Sequence, residues 1–353
     1  MIAFTTNPWI IFPNLILLSI GFSYILPLIA ASVKLFSTKK IQKFAFSWYY
    51  VFMNIGALIA GFTVNHIKIH IKTNILIPIL GFEFSVRPVQ IIFFIPLILA
   101  GIIIFLIFRY MNSEQLENKN HIHSTVPEKD VFTKKEKSIP LKIMKDIGSD
   151  KLFWVFMLFL FLLVLVEMVF EYSHSVYPVY VERIGLAEWI EKLYIINPII
   201  IILVPVITAL TGRLRGYTVI TIGAFVVAGS VFFLGISESV LMIIIYQIFL
   251  SIGEAIFYPR IYDYTASVAP EGHLVSYMAL SKIPLFFGRT MTGPLTGILL
   301  FSLCPETGER NTMLMWFIIG FSALITPITL LIWRRKLDVE SLRRAEKFKG
   351  LGK

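Results

Sequence analysis

The sequence has almost no cysteine and few charged residues. Its 353 residues include one cysteine, Cys304, so no disulfide can form within the chain. Charged residues make up 15% of the chain and hydrophobic residues 57%, whereas about a quarter of the residues of an average soluble domain are charged. This composition excludes an ordinary soluble domain and predicts a polytopic membrane protein whose main solvent is lipid.

Motifs of enzymes and metal sites are also missing. The sequence contains no nucleophile elbow, HExxH motif or phosphate-binding loop. The loop histidines His66, His70, His121 and His123 have metal-like spacings but no accompanying set of Cys or carboxylate ligands. We therefore expect no metal, no cofactor and no enzymatic activity. An intramembrane enzyme would require catalytic residues clustered at one membrane face, and the sequence does not indicate such a cluster.

Nine apolar windows are long enough to cross a bilayer, which takes about 20 residues each. They lie near residues 8–33, 44–64, 90–108, 152–176, 190–211, 218–236, 240–266, 275–303 and 313–333.

The net charge of +10 is a topology signal in such a chain, so no nucleic-acid partner is expected. Alternate connections together with the C-terminal tail carry 23 Lys and Arg residues, and the opposite set of connections carries six. Positively charged loops stay in the cytoplasm. We therefore predict a multi-pass protein of the cell membrane, inner or plasma, with a cytoplasmic C-terminus and with Met1 outside.

One connection differs from the others. Residues 109–151 hold 16 charged residues of both signs among 43, which indicates a solvated cytoplasmic linker. The predicted organisation is three helices in 1–108, this linker, six helices in 152–333 and a basic tail in 334–353.

An internal repeat relates the first and seventh predicted spans. LeuSerIleGlyPheSerTyrIleLeuPro at 18–27 and LeuSerIleGlyGluAlaIlePheTyrPro at 250–259 are identical at five of ten positions, 232 residues apart. Both copies run from outside to inside. A period of six helices with parallel orientation is typical of transporters whose halves are related by an axis along the membrane normal. The first half is then represented by its last three helices, and three more spans are expected upstream of Met1.

Several motifs in this frame resemble the major facilitator superfamily, and within it the proton-dependent oligopeptide transporter branch. PheSerTrpTyrTyrValPheMetAsnIleGlyAlaLeuIleAla at 46–60 is similar to that branch's Phe-Ser-x-Phe-Tyr-x-x-Ile-Asn-x-Gly-Ser/Ala signature. GlyGluAlaIlePheTyrPro at 253–259 resembles its Gly-Glu-x-x-x-x-Pro helix, whose carboxylate takes part in proton coupling and peptide binding. ThrGlyArgLeuArgGlyTyr at 211–217 resembles a second-half loop of the superfamily without its Asp, and Leu26 stands where the branch has a Lys.

The resemblance implies an all-α major facilitator fold in which the nine spans are the last nine of twelve. It also implies transport by alternating access, coupled to the proton gradient and without a cofactor, of a small polar organic solute for which short peptides are the best candidate. Two alternatives remain open. The chain could transport another solute, such as a sugar, nucleoside or drug, or it could be a transport-inactive truncated membrane protein.

Glu254 is the leading candidate for proton coupling or substrate binding. An ionised side chain at the bilayer centre costs at least about 2.5–3.5 kcal/mol, and Glu254 lies near the middle of its span. It could bind a proton or the charged end of a substrate, or it could form a structural ion pair. Arg289 lies at similar depth and Lys282 is two turns earlier on the same face. We expect Glu254 to pair with one of these cations in one conformation.

Four residues are predicted to contribute to gates. Arg260 and Asp263, three residues apart near the cytoplasmic end of their span, are expected to form a salt bridge that helps close the inner gate, rather than a substrate site. Glu167 and Glu171 share a helix face in the outer part of the fourth span, followed by His174. They could relay protons or close an outer gate, or Glu171 and His174 could simply emerge into water.

Tyr49, Tyr50 and Asn54 provide hydroxyl and amide groups in the second span. They could line the transport cavity, and such residues also serve as hydrogen bonders between packed helices. Asn197-Pro198 in the fifth span is interpreted as a kink and not as a ligand.

Overall fold

The computed structural model describes residues 7–71, 75–79, 82–110, 140–270 and 272–351. These residues are helical apart from short connections and one two-stranded hairpin. The helices, numbered α1 to α17 in chain order, are Pro8–Leu35, Gln42–His70, Pro88–Tyr110, Pro140–Ser149, Lys151–Leu162, Val164–His174, Val176–Arg183, Ile190–Tyr194, Ile196–Ile201, Val204–Thr211, Gly216–Ile236, Val240–Val268, Leu274–Leu280, Lys282–Leu303, Thr312–Ile332, Arg334–Leu337 and Val339–Leu351.

The all-α membrane fold is confirmed, and all nine predicted windows are helical. Among the described residues, six helices are long and apolar enough to cross a membrane. A seventh span results if the segments 187–201 and 204–211, bent by 47° relative to each other, are counted as one. The other two windows are the shorter apolar stretch Gln90–Leu106 and helix α14, where Lys282 and Arg289 lower the apolar character.

The structure also contains a β-hairpin, which the search for apolar windows did not predict. Strands β1 (Ile75–Ile79) and β2 (Phe82–Val86) pair antiparallel between α2 and α3, with Ile75 opposite Val86. Five-residue strands are too short to be recognised in windows of helix length. Most of the predicted linker 109–151 lies outside the described residues, and its last part forms α4.

Side-chain caps begin several of the helices. The carboxylate of Asp150 accepts a hydrogen bond from the backbone N–H of Leu152 (2.9 Å) at the start of α5, and Asn311 caps α15 through the N–H of Leu314 (3.1 Å). Such caps satisfy N–H groups that have no partner within the helix.

The chain divides into two compact units. The first contains the described residues of Met1–Leu26 and Met53–Lys134, and the second those of Pro27–Phe52 and Lys135–Lys353. In the first unit, apolar side chains such as Trp9 (87%) and Leu97 (66%) are largely exposed, which is typical of helices that face lipid. The bundle boundaries at 108, 151 and 333 stay a prediction.

The core of the second unit is rich in aromatic rings and depends on a close approach of α11 and α12. Phe159, Tyr217 and Tyr264 are packed against one another and fully buried. A Cβ atom added at Gly253 would lie 2.5 Å from the side chain of Val227. Small residues let helix backbones approach closely in membranes. Gly253 therefore sets the position of α12 immediately before Glu254.

The C-terminal helix α17 is attached to the second unit by a polar contact at one end of the spans. Arg343 Nη2 donates hydrogen bonds to Asp150 Oδ2 (2.6 Å) and to the hydroxyl of Tyr277 (2.8 Å), which itself donates to Asp150 (3.0 Å). Burial alone would raise the pKa of Asp150. The hydrogen bonds from Arg343, the Leu152 N–H and Tyr277, together with the charge of Arg343, outweigh this effect and hold the pKa below its ordinary value.

We expect Asp150→Asn to lower the free energy of unfolding at pH 7 by about 1.5–3 kcal/mol, the value of a hydrogen bond to a charged group. A carboxyl whose pKa is lower in the folded state stabilises the protein above its unfolded pKa, about 3.9, and this contribution disappears as the pH falls through the folded pKa. Thermal unfolding in detergent should therefore separate wild type from Asp150→Asn at pH 7, and this difference should shrink progressively as the pH falls below about 4.

Glu340→Gln is the control for this prediction. It removes an exposed ion pair with Arg344 on a single helix, which is worth about 0.3–0.5 kcal/mol. A difference between wild type and Asp150→Asn that is independent of pH would contradict the assignment of charge to this contact.

Candidate functional site

Glu254, on α12, is held by two neutral hydrogen-bond donors from other helices. Its Oε1 accepts a hydrogen bond from the hydroxyl of Tyr50 on α2 (2.5 Å), and its Oε2 accepts one from Nδ2 of Asn197 on α9 (2.5 Å). The side chain is partly buried and forms no ion pair with any described residue. The carboxylate therefore connects three helices, and no cation of the described residues contacts it directly.

The expected pairing of Glu254 with Arg289 or Lys282 does not form in this conformation. Arg289 Nε instead contacts Glu171 Oε1 (2.8 Å), and its Nη2 contacts Glu167 Oε1 (3.4 Å). The reason is helix packing. A Cβ at Gly288 would lie 3.1 Å from Val164, so α14 approaches α6 closely and carries Arg289 to the acidic residues of α6.

Lys282, one of the two expected partners of Glu254, lies against an aromatic ring. Its Nζ is 4.5 Å from the centroid of the Tyr262 ring and 3.4 Å from the Tyr262 hydroxyl. It forms no ion pair with a carboxylate in the described part of the chain. Lys282 is thus a cation supported by a cation–π contact, without direct ion pairing to a described residue.

Glu167 is fully buried, and both of its oxygens have partners. Besides Arg289, it accepts a hydrogen bond from the hydroxyl of Tyr258 on α12 (2.7 Å). Glu171, one turn later, keeps 31% side-chain exposure while it contacts Arg289. The Nδ1 atom of His174 lies 2.9 Å from the Phe170 carbonyl oxygen of its own helix. The role of these residues in a gate or relay stays a prediction.

The two acidic residues Glu167 and Glu254 are connected through a pair of tyrosines. Tyr258 lies one turn after Glu254 on α12, and its ring stacks on that of Tyr50 with 5.7 Å between centroids and 19° between planes. Tyr50 donates to Glu254 and Tyr258 donates to Glu167. We call Glu167, Tyr258, Tyr50, Glu254 and Asn197 the two-carboxylate network. It is a contiguous set of polar side chains among apolar helices.

A second polar cluster joins one end of α12 to the start of α2. Arg260 Nη1 lies 3.5 Å from Asp263 Oδ2, and Gln42 Nε2 donates to Asp263 Oδ1 (2.8 Å). Arg260 Nη2 also donates to the hydroxyl of Thr211 at the end of α10 (3.1 Å). We call Gln42, Thr211, Arg260 and Asp263 the inner cluster.

Contacts beside the inner cluster reinforce the attachment of α2. Lys43 Nζ donates to the carbonyl oxygen of Gly212 (2.8 Å), and the hydroxyls of Ser47 and Thr208 are 2.6 Å apart. The expected Arg260–Asp263 salt bridge is thus present, and through Gln42 it also involves a second helix.

Tyr49 and Asn54, the other two candidates in the second span, do not belong to the two-carboxylate network. Tyr49 packs edge-on against Tyr262, with 5.7 Å between ring centroids, and its part in the transport cavity stays a prediction. Asn54 belongs to the first compact unit, and its part in a cavity stays a prediction.

Asn197 and Tyr258 are the site residues that the sequence analysis did not identify. Asn197 is the one polar side chain in IleIleAsnProIleIle at 195–200, and a buried amide requires a partner. Tyr258 follows Glu254 by four residues, the spacing of neighbours on a helix face. The proximity of Pro198 favoured the kink interpretation. The structure does have a bend of 47° in this span. It lies between Ile201 and Val204, just before Pro205, and not at Asn197-Pro198.

We expect Tyr258→Phe to lower the free energy of unfolding by about 1–3 kcal/mol, because it keeps the ring and leaves the buried Glu167 oxygen without a donor. Tyr246→Phe is a matched control on the same helix. The Tyr246 hydroxyl is buried and has no hydrogen-bond partner among the described residues, so its removal should be neutral or stabilising. Thermal unfolding of both variants in detergent tests the network. Equal effects of the two substitutions would show that the Tyr258 hydroxyl contributes nothing.

Comparison with known proteins gives one family assignment. Residues 1–288, which include every member of the two-carboxylate network and of the inner cluster, match the family model described as "Major Facilitator Superfamily". The search of curated proteins finds no significant match.

Proposed function

This chain belongs to the major facilitator superfamily. We propose that it transports a small polar organic solute across the membrane and that proton flow down its gradient drives this transport. The family assignment makes it a multi-pass membrane protein and a secondary transporter. Proton coupling and a short peptide as substrate are the finer parts of the proposal. The resemblance of 46–60 and 253–259 to the proton-dependent oligopeptide branch supports both.

The observation that carries the proposal is the environment of Glu254. A carboxylate held by the neutral donors Tyr50 and Asn197 can gain or lose a proton without first breaking an ion pair. Protonation removes its charge and weakens two charge-assisted hydrogen bonds, one to α2 and one to α9. A change in protonation thereby alters the attachment of two helices to α12, as alternating access requires.

The charges that lack direct ion-pair partners suggest the class of substrate. Among the charged side chains of the described spans, Glu254 and Lys282 have opposite signs and no ion-pair partner within 4.0 Å. A short peptide at neutral pH is a zwitterion. We infer that Glu254 binds the substrate ammonium group and that Lys282 attracts its carboxylate, with Tyr50 and Asn197 as neutral donors nearby.

The inner cluster and the ion pairs of Arg289 with Glu167 and Glu171 are proposed to act at opposite stages of the transport cycle. The inner cluster holds α2 against α10 and α12, and we assign it to the cytoplasmic gate on the basis of the predicted topology. Arg289 with Glu167 and Glu171 is assigned to the outer gate. The distribution of Lys and Arg, 23 on one side and six on the other, supports a cytoplasmic C-terminus in the cell membrane.

Uptake into proteoliposomes tests the proposal. The purified chain is reconstituted, an inward proton gradient is applied, and accumulation of a labelled dipeptide is compared with that of a sugar and a nucleoside. Dipeptide accumulation that collapses with a protonophore supports the proposal. Accumulation of another solute in its place would refute the peptide assignment and keep the transporter. Absence of both accumulation and counterflow would favour the transport-inactive alternative.

A further inference from the structure

The end of the ninth span forms a groove with an apolar part and a cationic part. Residues Leu331, Ile332, Trp333, Arg334, Arg335 and Lys336 line it, where α15 ends and α16 begins. Leu331 and Ile332 are 61% and 70% exposed, and Trp333 is 50% exposed. Exposed aliphatic residues followed by Trp and then by cations mark the level at which a helix leaves the hydrocarbon and enters the headgroup region.

The cations of this groove are not neutralised within the described part of the chain. Arg334 Nη2 donates to the hydroxyl of Thr218 (3.2 Å), which is a neutral group. Arg335 and Lys336 are exposed and form no side-chain hydrogen bond or ion pair with a described residue.

The nearest acidic residues along the tail already have partners. Asp338 accepts from Ser341 (2.6 Å) and lies 4.0 Å from Arg215, and Glu340 pairs with Arg344. Within the described part of the chain, Arg335 and Lys336 therefore have no ion-pair partner, and they lie beside Arg334, which contacts only a neutral hydroxyl.

We propose that this groove binds the phosphate of an anionic phospholipid headgroup, with the acyl chains along Leu331 and Ile332. Charge complementarity selects an anion, and Arg and Lys are the usual phosphate binders. The exposed apolar half selects an amphipathic ligand over a free phosphate. The Arg334–Thr218 contact holds the cations in place before the ligand arrives, which lowers the entropic cost of binding.

The affinity for lipid measured by native mass spectrometry of the whole chain tests this proposal. Wild type is titrated with phosphatidylglycerol and with phosphatidylcholine, which have different headgroup charges. We expect tighter binding of phosphatidylglycerol. Arg335→Gln/Lys336→Gln should weaken it on the order of 30-fold, from the attraction of two cations to an anionic lipid. Phosphatidylcholine binding should be unchanged.

A second variant with the same loss of charge separates a site from general attraction. Lys39 and Lys40 lie in the connection between α1 and α2 and are exposed. Lys39→Gln/Lys40→Gln removes the same charge at residues that do not line the groove, so it should weaken phosphatidylglycerol binding by less than about fivefold, or about 1 kcal/mol. Equal losses in the two double variants, or equal affinity of wild type for the two lipids, would overturn the proposal.

A third arm uses inorganic phosphate as the ligand, with thermal unfolding in detergent as the readout. If inorganic phosphate stabilises wild type as much as phosphatidylglycerol does, and Arg335→Gln/Lys336→Gln removes both effects, the groove binds a soluble phosphate and the lipid assignment is wrong. Arg335→Lys keeps the charge and should retain lipid binding, which guards against a folding defect as the cause of any loss.

Discussion

Glu254→Gln is expected to abolish proton-driven accumulation of substrate in proteoliposomes. Glutamine has nearly the same shape as glutamate and can still accept the hydrogen bond from Tyr50, so the packing around α12 should persist. It carries no charge for a substrate ammonium group and no titratable proton. Glu254→Gln would remove one partner of the charge pair proposed between Glu254 and the substrate, and the loss of one partner of a buried, hydrogen-bonded charge pair costs about 2–5 kcal/mol, or roughly 30-fold to several thousand-fold in affinity. Initial uptake at low substrate concentration should fall by that factor.

Controls for Glu254→Gln separate loss of function from loss of fold. Glu309→Gln removes an exposed carboxylate in the connection before α15 and should leave uptake unchanged. The apparent melting temperature of Glu254→Gln in detergent should stay close to that of wild type. If the variant exchanged substrate in counterflow but ignored the proton gradient, Glu254 would serve the proton and not the substrate. Unchanged uptake with unchanged proton dependence would remove Glu254 from the mechanism.

Helix positions could be predicted from the sequence because they depend on local composition. Each apolar window is long enough for a span, and lipid offers its backbone no other hydrogen-bond partners. The kink expected at Asn197-Pro198 has its counterpart in the bend between α9 and α10, but two other interruptions inside spans were not predicted. The span Lys151–His174 changes helix at Leu163, and the eighth window divides at Ser281 between α13 and α14. Apolar composition continues across these breaks, so a hydropathy window contains no signal for them.

The residues of the site could be predicted in part, because burying a charged side chain in a membrane is costly and such residues are conspicuous in an apolar span. Glu254, Glu167 and Arg289 stand out because ionised residues within spans are rare. Their pairing depends on which helix faces meet, and this is determined by contacts distant in sequence. Gly288 brings α14 to Val164 and thus Arg289 to Glu167, a contact across 122 residues. Nothing in the local sequence around Glu254 indicates that its partners are Tyr50 and Asn197.

Arg289→Gln is expected to destabilise the protein and to stop transport. It leaves Glu167 fully buried with Tyr258 as its remaining donor. Breaking a fully buried ion pair costs about 3–5 kcal/mol. The Arg289 side chain is 59% exposed, so we expect about 1–3 kcal/mol, the cost of an unsatisfied buried group. Arg344→Gln, which breaks an exposed pair on one helix, should change the free energy of unfolding by about 0.5 kcal/mol or less.

The double variant Glu167→Gln/Arg289→Gln tests whether the Glu167–Arg289 ion pair serves transport or only stabilises the fold. Once Glu167 has lost its charge, the absence of Arg289 should cost little, so the double variant should recover most of the stability lost in Arg289→Gln. The coupling energy between the two positions should then be about 0.5–3 kcal/mol. Uptake should stay low, because the proposed outer gate depends on the charges and not on the packing. Recovery of stability and uptake together would make Glu167 and Arg289 a structural pair and would leave Glu254 as the one proton-coupling carboxylate of the network.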